Sequence, residues 1–269
     1  MAYYYEVFLG LLSVLTNHTH LEDSQCHSFI SQCLAKFKTC TQLSELLKFP
    51  EILPFYTQVS SFAISTIQES GYLGDFPYIL MFWSRIVDAL RYTNSPVYNV
   101  IPEHVIKESI QNVCQVYIDT FINRVDYYLE NDMDNPLQNI DLISKYEEKI
   151  AVVMNFDFSF VYACFQPYLM KYKTEIESFF KKIEQGQTLT PESIKTIDGT
   201  FIILDSFIAC LAWCIFIISM SIKKQIFSDY QIKNNHHIIS ANLCSQVFSL
   251  LSLFIYNEHV SFSFSFSYL

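Results

Sequence analysis

The sequence predicts an all-α chain, on three observations. Apolar residues recur at three- and four-residue steps through most of the 269 residues, the spacing of one face of a helix. Only 5 Gly and 8 Pro occur, too few for the frequent turns of a barrel or sandwich. An apolar content of 51%, with 24 Phe and 18 Tyr, supplies a core for one or two domains or for one elongated array.

The elements follow in order. Tyr3 to Leu15 reads as an apolar helix ending in the polar turn Thr16 to Ser24. His27 to Thr39 places Phe29, Ile30, Cys33, Leu34 and Phe37 on one side of a second helix. Cys26, Cys33 and Cys40 lie two turns apart, so they are expected to form one buried stripe; neither they nor Cys210 and Cys214 make a CxxC pair. Eight Cys in so long a chain do not build a disulfide scaffold and suit a reducing compartment. Pro50 and Pro54 open a helix running to about Glu69, with Phe55, Val59, Phe62, Ala63 and Ile67 inward. Gly71 and Gly74 end it, and Asp75 is placed to cap the next, Tyr78 to Arg91, which turns Leu80, Trp83, Ile86, Val87 and Leu90 inward.

After the loop Asn94 to Pro102 comes the helix Glu103 to Glu130, with Ile106, Ile110, Val113, Tyr117, Phe121 and Tyr128 in one stripe. At about 100° per residue, Glu108, Asp119, Asp126 and Glu130 fall within roughly 40° of one another on the other side. The following loop adds Asp132 and Asp134. Glu103 to Asp157 holds 11 acidic and 4 basic residues, −7 of the chain's −10. Such a ridge is either a solvated helix surface or a docking patch for a basic partner. The Asp132-Met133-Asp134 spacing hints at a calcium loop, which Pro136 and the missing glycine rule out.

Leu142 to Met154 and Phe156 to Lys182 give two further helices; the second is lined by Phe160, Val161, Cys164, Phe165, Tyr168, Leu169 and Ile176, and Pro167 should kink or divide it. Beyond the linker Glu184 to Pro191 stands Thr200 to Ile222, almost unbroken apolar sequence with one charge, Asp205. A helix of that length either crosses a bilayer or forms the middle of a helical stack, covered on both sides. The water-facing character of the preceding helices, and the shortness of the other apolar run, Val247 to Tyr256, favour the stack. A last helix is expected over Ile238 to Phe254, and Ser261 to Ser267 alternates Ser and Phe with the period of a strand.

Several chemistries are excluded. A net charge of −10 opposes nucleic-acid binding, which needs clustered Lys and Arg. No Gly-rich phosphate loop, HExxH or GxSxG occurs, so no catalytic, cofactor-binding or metal-binding residue is assigned. The adjacent His236 and His237 do not share a helix face. Val7 to Leu15 lacks the preceding positive charge and following cleavage site of a secretory signal.

About ten helices, paired at roughly 40 residues as in Pro50 to Tyr92, are the pattern of a HEAT-type α-solenoid of antiparallel helix pairs over residues 1–260, with 261–269 a low-complexity tail. A four-helix bundle is the other architecture that fits.

Three segments, Gln42-Leu43-Ser44-Glu45-Leu46, Tyr78-Ile79-Leu80-Met81-Phe82-Trp83-Ser84-Arg85-Ile86 and Asp134-Asn135-Pro136-Leu137, resemble successive signatures in the central portion of the exportin-7/Ran-binding protein 16 family, a branch of the importin-β superfamily. The apolar helix Phe201 to Ile218 is similar to one that follows a Pro-containing linker there. The resemblance implies a non-enzymatic HEAT solenoid, without cofactor, belonging to a longer transport receptor. Such a receptor binds Ran-GTP through regions outside this stretch, meets nuclear pore proteins, and carries cargo proteins with basic surfaces between nucleus and cytoplasm. It would give Glu108, Asp119, Asp126, Glu130, Asp132 and Asp134 a purpose.

Overall fold

A computed structural model of the chain describes residues 2–70, 75–92, 100–130, 149–185, and 241, 242, 245, 246, 249 and 252. The described residues form helices and turns, with no strand. In order these are α1 (Ala2–Asn17), α2 (Ser24–Cys40), the single turn α3 (Leu43–Leu46), α4 (Ile52–Ser70), α5 (Phe76–Tyr92), α6 (Glu103–Glu130), helical residues 149–154 (α7) and α8 (Phe158–Glu184). The expected apolar run Thr200 to Ile222, the helix Ile238 to Phe254 taken as a whole, and the Ser/Phe tail lie outside the described residues. Among the described residues no helix is long and apolar enough to cross a membrane.

Local chemistry sets the helix ends. Asp23 starts α2 by accepting the Gln25 N–H through Oδ1 at 3.3 Å. Pro54 falls in the first turn of α4, where its missing N–H costs nothing. The C-terminus of α1 closes differently: the Thr19 N–H reaches the Val14 carbonyl at 3.2 Å, and His18 takes the left-handed conformation, φ 51°, that this closure needs and glycine usually supplies. Asp157 starts α8 by accepting the Phe160 N–H through Oδ1 at 3.2 Å. Pro167 leaves α8 undivided; it sits on an exposed face, where water can satisfy the carbonyl it frees.

The structure divides into two units: Met1–Asn123 with Pro136–Val161, and Arg124–Asn135 with Tyr162–Leu269. Within the first, contacts recur at nearly constant separation along the chain. The Tyr5 hydroxyl donates to both oxygens of Glu51 (2.9 and 3.1 Å), 46 residues on. His27 meets Asp75 at 48 residues, Tyr56 meets Ile106 at 50, and Gln111 meets Asp157 at 46. Phe8 lies against Phe55 at 4.5 Å between ring centroids, in step with Tyr5 against Glu51, so α1 and α4 run side by side in the same direction. Between them α2 returns: Phe37 faces Phe55, and His27 faces Phe62 at 4.7 Å. This is a solenoid's layering, with each helix beside its counterpart one repeat away. The observed register of 46 to 50 residues is longer than the expected 40, which omitted the connection leading to the next pair.

The core bears out the periodicity of α4 and α5. Phe55, Val59, Phe62, Ala63 and Ile67 are buried, as are Leu80, Trp83, Ile86, Val87 and Leu90. Helix α2 differs. Its buried side is Ile30, Ser31, Leu34, Ala35, Phe37 and Lys38, whereas Phe29 is 65% exposed. The expected cysteine stripe is therefore not buried: Cys26 and Cys33 are half-buried and Cys40 is exposed. Helix α2 packs along α5 as well as against α1 and α4, and this two-sided cover rotates its inner arc away from the cysteines and over Ser31 and Lys38.

The second unit is described more sparsely. Cys164 and Phe165 of α8 are buried there, and the Gln246 amide donates to the Tyr162 hydroxyl at 3.2 Å.

Candidate partner-binding face on helix α6

Helix α6 carries the acidic residues singled out above. Its start is fixed by the Pro102 carbonyl, which accepts the Val105 and Ile106 N–H groups at 3.0 and 3.3 Å. The expected inner residues Ile106, Ile110, Val113 and Tyr117 are buried, and so are Ser109, Cys114 and Ile118. At about 100° per residue these seven cover roughly half the circumference. So wide an arc fits a helix flanked by neighbours on two sides. Tyr117 stacks on Phe76 of α5 with ring centroids 5.4 Å apart, and Ile106 accepts a bond from Tyr56 of α4 at 3.4 Å.

The acids fall on the remaining arc. Glu108 is exposed and Asp119 is half-buried. The Gln115 amide, one turn earlier, holds Asp119 by donating to both carboxylate oxygens at 2.8 and 2.9 Å. Asp126 and Glu130 continue the same helix, their side chains outside the described residues; Asp132 and Asp134 lie outside them entirely. One edge of the arc is neutralised, because Lys107 and Gln111 both reach Oδ2 of Asp157, at 3.1 and 2.9 Å. That carboxylate thus starts α8 and ties it to α6. Among the described residues this face carries the carboxylates of Glu108 and Asp119 on a helix whose opposite side is buried.

The sequence did not expose one polar cluster. His27 Nδ1 lies 2.6 Å from Oδ2 of Asp75, and its Nε2 lies 3.2 Å from the Thr66 hydroxyl. The cluster has a catalytic triad's order but not its access. Thr66 is fully buried, and its hydroxyl lies 2.7 Å from the Phe62 carbonyl, to which it donates within the helix. The cluster pins α2, α4 and the start of α5 together. Asp75 accordingly begins α5 with its backbone carbonyl, at 3.0 Å from the Tyr78 N–H, while its carboxylate serves His27. One repeat of sequence separation is the signal that could have found the pair. A hollow lined by Leu43, Phe55, Phe82, Ile86 and Ile106 holds only about 10 Å³, a packing imperfection smaller than a ligand. Among the described residues no group of His, Cys, Asp and Glu is placed to hold a metal ion.

Known proteins bear on this stack. The chain is 23% identical over 251 residues to Ran-binding protein 16 of Drosophila melanogaster, covering 91% of this chain and 20% of that protein. It is 21% identical over 246 residues to human Ran-binding protein 17, covering 91% of the chain and 21% of the relative. Exportin-7-A of Xenopus laevis aligns over 148 residues at 20% identity, 54% of this chain and 13% of that one. No family model and no solved structure matches. The chain therefore spans about a fifth of the length of the Ran-binding proteins it matches. Over most of its length, the chain is similar in sequence to the exportin-7 and Ran-binding protein 16/17 group.

Proposed function

We propose that this chain is a segment of a nuclear transport receptor, a helical solenoid that docks protein cargo in a Ran-GTP-dependent cycle between nucleus and cytoplasm. The observation that carries the reading is the alignment of 91% of the chain with Ran-binding proteins 16 and 17, joined to a contact register that repeats along the first unit. The solenoid acts by protein–protein contact and not by bond chemistry. In this reading the face of α6 bearing Glu108, Asp119, Asp126 and Glu130, extended by Asp132 and Asp134, meets the basic surface of a cargo. Ran and nuclear pore proteins engage parts of a longer receptor. The test is capture of the longer parent chain on GTP-loaded and GDP-loaded Ran: retention on the GTP form alone supports the reading, and equal or absent retention on both rejects it.

A second reading has its own support in the apolar run Thr200 to Ile222. A span there would leave the chain in the membrane pellet after alkaline extraction, whereas a transport receptor is released.

A further inference from the structure

Lys38 sits in the last turn of α2 and is only 7% exposed. Its ammonium donates to the Thr41 carbonyl at 3.3 Å. That bond satisfies one N–H of three and ties the cation to the carbonyl end of the helix. Among the described residues no carboxylate pairs with it. Thr41 is 6% exposed, and its hydroxyl is buried without a partner. Arg85 of α5 stands 47 residues after Lys38, the register that brings His27 to Asp75 at 48. It is half-buried and likewise has no carboxylate partner among the described residues. Burial pushes the Lys38 ammonium below its ordinary value, and the like charge of Arg85 pushes it further the same way. The next lysine along the chain, Lys48, is by contrast paired with Glu45 at 2.8 Å.

A buried ammonium with unused donors, a buried hydroxyl without a partner and a neighbouring guanidinium all lack the same thing, an oxyanion. Burying such groups unsatisfied opposes folding. A site that must be ready for a ligand has reason to keep them. We propose that Lys38, Thr41 and Arg85 form an anion pocket at the seam of α2 and α5 that takes a carboxylate side chain from a short acidic segment of a partner protein. The partner is short and acidic because the chain's own charge of −10 repels an extended polyanion, while one carboxylate matches the donors present.

The probe is a fluorescein-labelled hexaglutamate peptide, titrated with the whole chain by anisotropy, with inorganic phosphate as competitor. The native chain binds it with an affinity that falls with salt, and Lys38→Met and Arg85→Gln each weaken it by about tenfold or more. Lys48→Gln leaves it unchanged. Lys38→Met also raises the melting temperature, because a methionine packs where an unpaired charge was buried. The proposal fails if the native chain ignores the peptide, if both variants bind as the native chain does, or if phosphate binds and the peptide does not. It fails too if Lys38→Met lowers the melting temperature and leaves binding intact, the behaviour of a simple helix cap. Should Lys38→Met unfold, that too counts against the pocket, and half-buried Arg85 still reads the binding.

Discussion

Phe8 is the residue at which the stacked architecture is most open to attack. It is fully buried, with the rings of Phe55, Phe49, Tyr5 and Phe37 at centroid distances of 4.5, 4.9, 6.2 and 6.3 Å. These rings come from α1, α2, α4 and the turn before α4, so one side chain joins two successive repeats. Replacing a buried Phe by Ala costs about 3–5 kcal/mol, from lost transfer energy and the cavity left behind. The aromatic pairs add about 0.5–1.5 kcal/mol each beyond their area, although they share surface and do not sum. Phe8→Ala should therefore fall in the upper half of that range, near 4 kcal/mol. Phe8→Leu keeps most of the volume and should cost about 1–2 kcal/mol. Denaturant unfolding gives the totals, and amide hydrogen exchange shows where the loss falls. In a stack held by neighbours alone, α1, α2 and α4 lose protection while α6 keeps most of its own. A cost for Phe8→Ala below about 1.5 kcal/mol, or a loss spread evenly through α6, would refute the reasoning.

Three further outcomes are expected. His27→Ala, which strands the Asp75 carboxylate at 15% exposure, should cost about 1.5–3 kcal/mol; a double-mutant cycle with Asp75→Asn should show most of that loss shared between the pair. His18→Gly relieves a left-handed non-glycine residue worth about 1–2 kcal/mol, less about 0.5–1 kcal/mol for glycine's greater freedom when unfolded; it should raise the melting temperature slightly, and a fall would show that the His18 side chain contributes more than its backbone costs. The pH dependence of stability should carry the mark of Lys38. Its pKa is lowered in the folded chain, by burial first and then by Arg85. As pH rises through that lowered value the folded chain gives up a proton that the unfolded chain retains. Stability from this group therefore climbs with pH until the ordinary lysine value of 10.5, and Lys38→Met should flatten the climb.

The sequence made some of this legible and hid the rest for identifiable reasons. Helices α4 and α5 each have one apolar side and a polar remainder, so Phe55 to Ile67 and Leu80 to Leu90 could be placed inward from spacing alone. Helix α2 has apolar residues on several sides, and its inner arc includes Ser31 and Lys38, which no hydropathy pattern would bury. The contrast between Phe29, exposed, and Lys38, inside, follows from α5 lying along α2, a contact between residues nearly fifty positions apart. The same distance concealed the His27–Asp75 bond and the double use of Asp157. On α6 the apolar stripe was visible and its width was not, since Cys114 and Ile118 are buried as well. The acidic arc opposite was readable because helical geometry alone gathers Glu108 and Asp119.

The most direct test of the docking face is the affinity of the chain for a small folded basic protein such as cytochrome c, measured by calorimetry at low and physiological salt. Comparison is with Asp119→Lys, Asp126→Lys and Glu130→Lys combined. The account predicts salt-sensitive binding by the native chain and none by the triple variant while its helical content is unchanged. Equal affinities for the two chains would contradict it.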